Sequence, residues 1–296
     1  MIQPNIPVYD VLKSNQDASV NFVRDMAVGK LEARFVQRTD EYFIVYLSAQ
    51  SGCFKACRMC HLTATGQNKY QNTTESQFKS QADIVLKHFD ESDAKAERVH
   101  FNFMARGEPM DNPLLTEQSS SVLQPLADRA IERGLGYRFL ISTIMPDTMV
   151  DKDLVAMFPD AELYPEIFYS IYSVSADFRR RWLPRAMPPE QALEKLYRWQ
   201  MATGKVPKIH FAFIEGENDS EHDVRTMCQA VIDSGLKVNF NIVRYNPFSE
   251  KYGKESEMDV IERNFSIMDS MLKPDFATIV PKVGQDVAAS CGMFVR

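Results

Sequence analysis

Strand and helix periodicities alternate along most of this chain, and that alternation limits its fold more than any other feature. Apolar segments with strand character recur at 43–47, 99–104, 137–142, 167–172, 208–214, 237–243 and 277–280. Between them, apolar residues return at the three- and four-residue steps of a helix. In 221–234 the stripe is Val224, Met227, Cys228 and Val231, with Gly235 placed to end it. Leu123, Leu126, Ala127, Ala130 and Ile131 form a second stripe within 116–133, before Gly134; Leu193, Leu196 and Tyr197 form a third within 189–201, before Gly204. Strands joined by helices imply a mostly parallel sheet with helices outside it. About six such units follow residue 43. The expected fold is therefore α/β, a partial (β/α)6 barrel with its function at the C-terminal ends of the strands. Residues 1–42 are expected to form a short helix and then a β-hairpin (30–36 with 42–47), an extension of the 43–296 core. The polar, aperiodic stretch 61–80 reads as a long loop.

The composition of the 296 residues, 45% hydrophobic and 25% charged, is that of a soluble globular protein. No run approaches the roughly 18 apolar residues that span a bilayer, and the N-terminus has neither the basic nor the apolar region of a signal peptide. A cytoplasmic location with no membrane partner is expected. The net charge of −6 gives no global support to nucleic-acid binding, so any RNA contact must rest on a local patch. The candidate patch is RRRWLPR (179–185), whose arginines can grip phosphates while Trp182 stacks on a base; a solvated helix face is the alternative.

Three of the five cysteines, Cys53, Cys57 and Cys60, lie in SGCFKACRMC directly after an apolar strand. Such clustering points to a metal or redox site rather than a disulfide framework. Closely spaced thiolates on a loop suit a 4Fe–4S cluster, and three ligands for four irons leave one iron open for chemistry. A zinc site with His61 as fourth ligand is the alternative, although structural zinc sites generally split their ligands into two separated pairs. Glu108 follows a glycine at a strand end, where a carboxylate can accept hydrogen bonds from an ammonium group. Ser142, Ser170 and Asn246 also fall at the ends of candidate strands. Cys291 lies in the small-residue stretch ASCGM, where backbone can approach a ligand closely. Cys228 sits on an apolar helical stripe and reads as core.

The C-x3-C-x2-C loop after the first barrel strand resembles the signature of the radical S-adenosylmethionine (SAM) superfamily. SAQSGCFKACRMCHLTATGQ is similar, more narrowly, to the cysteine loop of the RlmN/Cfr family of RNA adenine methyltransferases. FMARGEP (103–109), LIST (140–143), Asn218-Asp219, NIVRYNPF (241–248) and DVAASCGMF (286–294) resemble further motifs of that family, in the same order, so that the likeness spans residues 30–294. It implies a radical SAM barrel with a 4Fe–4S cluster on Cys53, Cys57 and Cys60. SAM would be held by Gly107, Glu108, Ser142, Ser170 and Asn246. Cys291 matches the family's methyl carrier: one SAM methylates it, and a second yields a 5′-deoxyadenosyl radical that takes hydrogen from that methyl before its carbon adds to adenine. Glu32, in KLEARFV, matches the proton-accepting glutamate with one extra residue before the cysteine loop. The implied partners are rRNA or tRNA and an electron donor such as flavodoxin or ferredoxin, acting on a monomer.

The sequence also departs from that pattern. Tyr46 stands where the family has the cysteine that resolves the enzyme–RNA adduct, and tyrosine cannot form a disulfide. Few residues precede the hairpin, where the family has an N-terminal RNA-binding domain; the chain ends soon after Cys291; and RRRWLPR is more basic than its counterpart. An enzyme of the same class with another substrate or step is the alternative expectation. A cluster-bearing binding or regulatory protein without turnover is the other.

Overall fold

The computed structural model describes residues 8–296. Ten strands form one sheet in chain order: β1 (Asp10–Lys13), β2 (Val20–Asp25), β3 (Lys30–Thr39), β4 (Tyr42–Tyr46), β5 (Arg98–Phe103), β6 (Gly136–Thr143), β7 (Glu166–Tyr169), β8 (Lys208–Phe211), β9 (Asn239–Val243) and β10 (Ala277–Val280). β1 to β4 pair antiparallel; β4 to β10 pair parallel. The six parallel connections carry α1 (His61–Ala64) and α2 (Glu75–Asp90), α3 (Pro113–Glu117) and α4 (Ser119–Ile131), α5 (Leu154–Met157), α6 (Ala176–Trp182) and α7 (Pro189–Thr203), α8 (Glu221–Asp233), and α9 (Met258–Leu272). This is the expected partial (β/α)6 barrel.

Side chains alternate across the strands and so divide two environments. Phe101, Ile141, Ile167, Ile209, Phe211 and Ile242 face the helices and join the main core with Leu86, Leu126, Leu196 and Val231. Their neighbours His100, Asn102, Leu140, Phe168, His210 and Asn241 line the inside of the curled sheet.

Two local expectations are corrected. The described part of the N-terminal extension contains no helix: residues 10–25 are strands β1 and β2, joined through a turn in which Asp17 accepts from the Ser19 amide. β1 is fully exposed and carries no alternation, so nothing in DVLK separates an edge strand from a helical turn. Residues 1–7 lie outside the described residues. The loop expected over 61–80 contains α1 and the start of α2, whose Thr74 and Gln77 form a reciprocal capping box. The helix read over 116–133 is also broken at Gln118, between α3 and α4.

After β10 the chain crosses back over β2 and β3. The Asn21 amide donates to the Val287 carbonyl, and Arg34 to the carbonyls of Ser290 and Met293. Arg106 donates to the Val295 carbonyl, and the Val295 N–H donates to Glu32. The C-terminal segment thus covers the top of the seam between the barrel and its extension.

Candidate active site

The cysteine loop leaves β4 and is pinned from several sides. The Cys53 amide donates to the Gln67 carbonyl, the Arg58 amide to Trp182 and the His61 amide to Gly292. Gly52 has room for no side chain, because a Cβ there would stand 2.3 Å from the Lys69 carbonyl oxygen. Lys55, buried, pairs with Asp111 at 2.7 Å and Asp147 at 3.5 Å, tying the loop to the segments after β5 and β6.

Cys53, Cys57 and Cys60 line one cavity of about 140 Å³ at the C-terminal ends of the strands. Burial, and after it Cys60, pushes the Cys53 thiol up to about 12. Burial and then Cys53 and Cys60 raise Cys57 well above its usual value, and burial raises Cys60. Three apolar-enclosed thiols that oppose one another's ionisation need a cationic core to become thiolates, which is the chemistry of an iron–sulfur cluster. Among the described residues no three His, Cys, Asp or Glu groups converge as ligands of a single ion. The Nε2 of His61 instead faces the Asn246 carbonyl at 3.0 Å. With His61 so engaged, three thiols of one loop fit a 4Fe–4S cluster with one open iron better than a four-ligand zinc site.

Gly107, Glu108, Ser142 and Ser170 line the same cavity. Gly107 has φ +88°, and a Cβ there would meet the Gln50 backbone nitrogen at 2.7 Å. Glu108 is buried; its two oxygens accept from the amides of Met110 at 3.1 Å and Ile144 at 3.3 Å. Burial outweighs its hydrogen bonds and lifts its pKa to about 7. The Ser142 hydroxyl is buried without a protein partner. An orphaned hydroxyl and a desolvated carboxyl beside the thiols fit a ligand with hydroxyl, ammonium and carboxylate groups, as SAM has.

Cys291 lines this cavity and also the larger one inside the barrel. Burial raises its thiol to about 11. It packs in one apolar cluster with Cys57, Met59 and Tyr172. Asn246, expected to touch SAM, does not line the cavity. Its amide nitrogen donates to the Ser290 hydroxyl at 3.1 Å and the Cys291 carbonyl at 3.0 Å, so it fixes the backbone that presents Cys291.

Glu32 is also absent from the cavity. It is fully buried and paired with Arg34 at 2.7 Å and Arg106 at 2.8 Å, and it accepts from Asn21 and from the Val295 amide. Burial, the largest single influence, would raise its pKa; the Arg34 and Arg106 charges, with the hydrogen bonds from Arg34 and Asn21, together hold it below its usual value. A carboxylate so stabilised is a poor base, and its partners make it a lock for the C-terminal segment.

The basic run is accounted for by its own surroundings. Arg179 is buried and donates to the carbonyls of Ile171, Ser173 and Met187. Arg180 pairs with Asp177, and Arg181 with Asp177 and Glu217. Trp182 is wholly buried against Phe178 and cannot stack on a base. Cys228 lies in the main core, as expected.

Sequence reasoning missed the polar lining of the barrel interior. Strands of a parallel sheet are ordinarily apolar on both faces. Here His100 and Asn102 alternate with Phe101 and Phe103, and Lys208 and His210 with Ile209 and Phe211. That two-residue polar period was the available signal. Arg34 and Arg106 carried none, because their partners lie up to 259 residues away.

The chain is 26% identical over 286 residues to a probable dual-specificity RNA methyltransferase RlmN of Synechococcus sp. (strain JA-2-3B'a(2-13)), covering 94% of this chain and 75% of that protein. It is 25% identical over 293 residues to the corresponding protein of Clostridium beijerinckii, covering 98% and 77%. The chain resembles RlmN-type methyltransferases. A radical SAM methyltransferase from Sphaerobacter thermophilus, 18% identical, superposes with a TM-score of 0.81 over 97% of this chain and 81% of that one, so the two share a fold. No protein-family model matches the RlmN-like chain. Among its described residues no helix is long and apolar enough to cross a membrane.

Proposed function

We propose that this protein is a radical SAM methyltransferase that passes a methyl group through Cys291 to an adenine carbon of RNA, rRNA or tRNA. The observation that carries this reading is that Cys291 lines one cavity with Cys53, Cys57 and Cys60. Cys53, Cys57 and Cys60 would hold the cluster, which when bound would supply the electron for reductive cleavage of SAM, taken in turn from a donor of the flavodoxin or ferredoxin kind. Gly107 gives the ligand close approach to backbone, Glu108 takes its ammonium group, and Ser142 and Ser170 offer hydroxyls. Asn246 positions Cys291 through the carbonyl it holds. The RlmN-named relatives support RNA as the acceptor. A different acceptor is the second reading, favoured by the internal pairing of Arg180 and Arg181 and the burial of Trp182.

The test is mass spectrometry of anaerobically prepared protein after incubation with methyl-labelled SAM. Label is expected on Cys291, with transfer to RNA that stops in Cys291→Ala. Transfer by Cys291→Ala equal to the parent overturns the carrier role. Iron content is read in parallel: about four irons per chain are expected, lost in Cys57→Ala.

A further inference from the structure

The curled sheet encloses a second cavity of about 850 Å³, and its lining does not match an ordinary barrel core. Arg98 at the start of β5 and Met104 just past its end both face it, so it runs the length of the strands, about 20 Å at ~3.3 Å per residue. Cys291 and Met104 line its upper part; Arg98 and Lys208 begin β5 and β8 at the other end, and Arg138 lies beside His100 two residues into β6. Arg138 and Lys205 there are exposed, so that end meets solvent.

Eight Lys or Arg side chains line this space against two carboxylates, Glu41 and Glu166. Glu166 is engaged by Arg138 at 3.2 Å, Arg34 by Glu32, and Arg244 and Lys282 by Glu255. Arg38, Arg98 and Lys208 have no ion-pair partner among the described residues. Their field shows in the neighbouring imidazoles: burial first, then Arg138, Arg98 and Lys208, drives His100 down to about 3, and burial with Lys208 and Arg38 does the same to His210. Further in, the lining becomes neutral and unsatisfied. Asn102 is 3% exposed, yet its Oδ1 has no partner, and neither have His100 Nε2 or Asn241 Oδ1. His100 stacks on Tyr42 with centroids 4.2 Å apart. Cations at one end, with open amide edges and rings beyond them, match a ligand with a phosphate and a heterocycle. The volume falls within the roughly 300–1,000 Å³ of small-molecule sites, which admits a nucleotide or a short strand and no folded duplex.

We propose that this lumen is the substrate channel and takes a phosphate-bearing nucleotide, its phosphate on Arg98 and Lys208 and its base directed past Asn102 toward Cys291. The assignment rests on the reading of Cys291 as carrier. The nucleotide comes from a free pool or from a single-stranded RNA segment entering by the end opposite the cysteine loop.

Isothermal titration of the anaerobic, cluster-bearing protein without SAM or reductant tests this apart from turnover. The probes are adenosine, AMP and triadenylate. At least one phosphate-bearing probe is expected to bind about tenfold or more tighter than adenosine. The Arg98→Gln/Lys208→Gln variant, checked for retained iron, is expected to lose that advantage. AMP binding as tightly as triadenylate assigns the free nucleotide; a clear triadenylate advantage assigns the strand. Should the double variant lose its iron, the single variants Arg98→Gln and Lys208→Gln, each checked for retained iron, are expected to weaken AMP and triadenylate while sparing adenosine. Adenosine binding as tightly as both phosphate-bearing probes, no binding by any probe, or an iron-bearing variant that binds unchanged overturns the assignment. Because no methyl transfer is read, that result leaves the carrier chemistry standing.

Discussion

Gly107 shows how much of the site rests on single residues. Its φ of +88° lies where L side chains are strained, and an added Cβ would meet the Gln50 backbone, which cannot swing away as a side-chain end can. Gly107→Ala is expected to cost about 1–3 kcal/mol and to lower SAM affinity with it. Calorimetry with and without SAM checks both; an unchanged melting temperature and affinity would remove Gly107 from the site. Tyr46 raises a different question at the same scale. It lines the cavity that also reaches Cys291, and on the proposed carrier reading it stands where a resolving thiol would act. A carrier sulfur joined through carbon to RNA needs a thiol to release it, and a phenol cannot do this. A covalent protein–RNA species dependent on Cys291 is therefore expected to accumulate during turnover, and Tyr46→Cys to discharge it. Free multiple turnover of the parent without adduct or added thiol would sink this idea.

Elements differ in how openly the sequence declares them. α2 escaped notice because the polar run before it looked like loop, yet Thr74 and Gln77 cap it before Phe78, Ala82, Val85 and Leu86 enter the core. Thr74→Ala is expected to cost about 1 kcal/mol, read as a shifted denaturation midpoint with an unchanged slope. No shift would mean that packing alone holds the helix end. The parallel strands were legible because β4 to β9 bury an apolar face against helices and β10 packs Ala277 and Ile279 on the same core, so the pattern is local. β1 was not, being an exposed edge strand held by pairing with β2. The site divides the same way. Cys53, Cys57 and Cys60 sit within one loop, and Gly107, Glu108, Ser142 and Ser170 mark strand ends. The surroundings of Asn246 and Glu32 were not legible, because their partners, Ser290, Cys291 and Val295, come from a distant segment that only the fold brings near.

At the scale of the molecule, the C-terminal segment joins the barrel to its extension through one buried charge group. Arg34 and Arg106 are nearly inaccessible, and Glu32 is the carboxylate between them. The same arginines hold the carbonyls of Met293 and Val295, so the segment bearing Cys291 depends on their placement. Removing the shared anion leaves two buried cations uncompensated, and Glu32→Gln is expected to cost about 3–5 kcal/mol. The sign with pH follows from the depressed pKa of Glu32. The stabilisation is complete above the ordinary carboxylate value of 4.5 and is lost as pH falls through the lower native value. The parent should therefore destabilise on acidification below about pH 4.5 more steeply than Glu32→Gln, which starts lower and has no such group to protonate. Hydrogen exchange should rise over residues 285–296 in the variant at neutral pH, since one amide oxygen cannot accept from Val295, Asn21, Arg34 and Arg106 as the two carboxylate oxygens do. If Glu32→Gln instead keeps its stability and its protection pattern and loses only methyl transfer, Glu32 acts on the substrate and the lock is not its function.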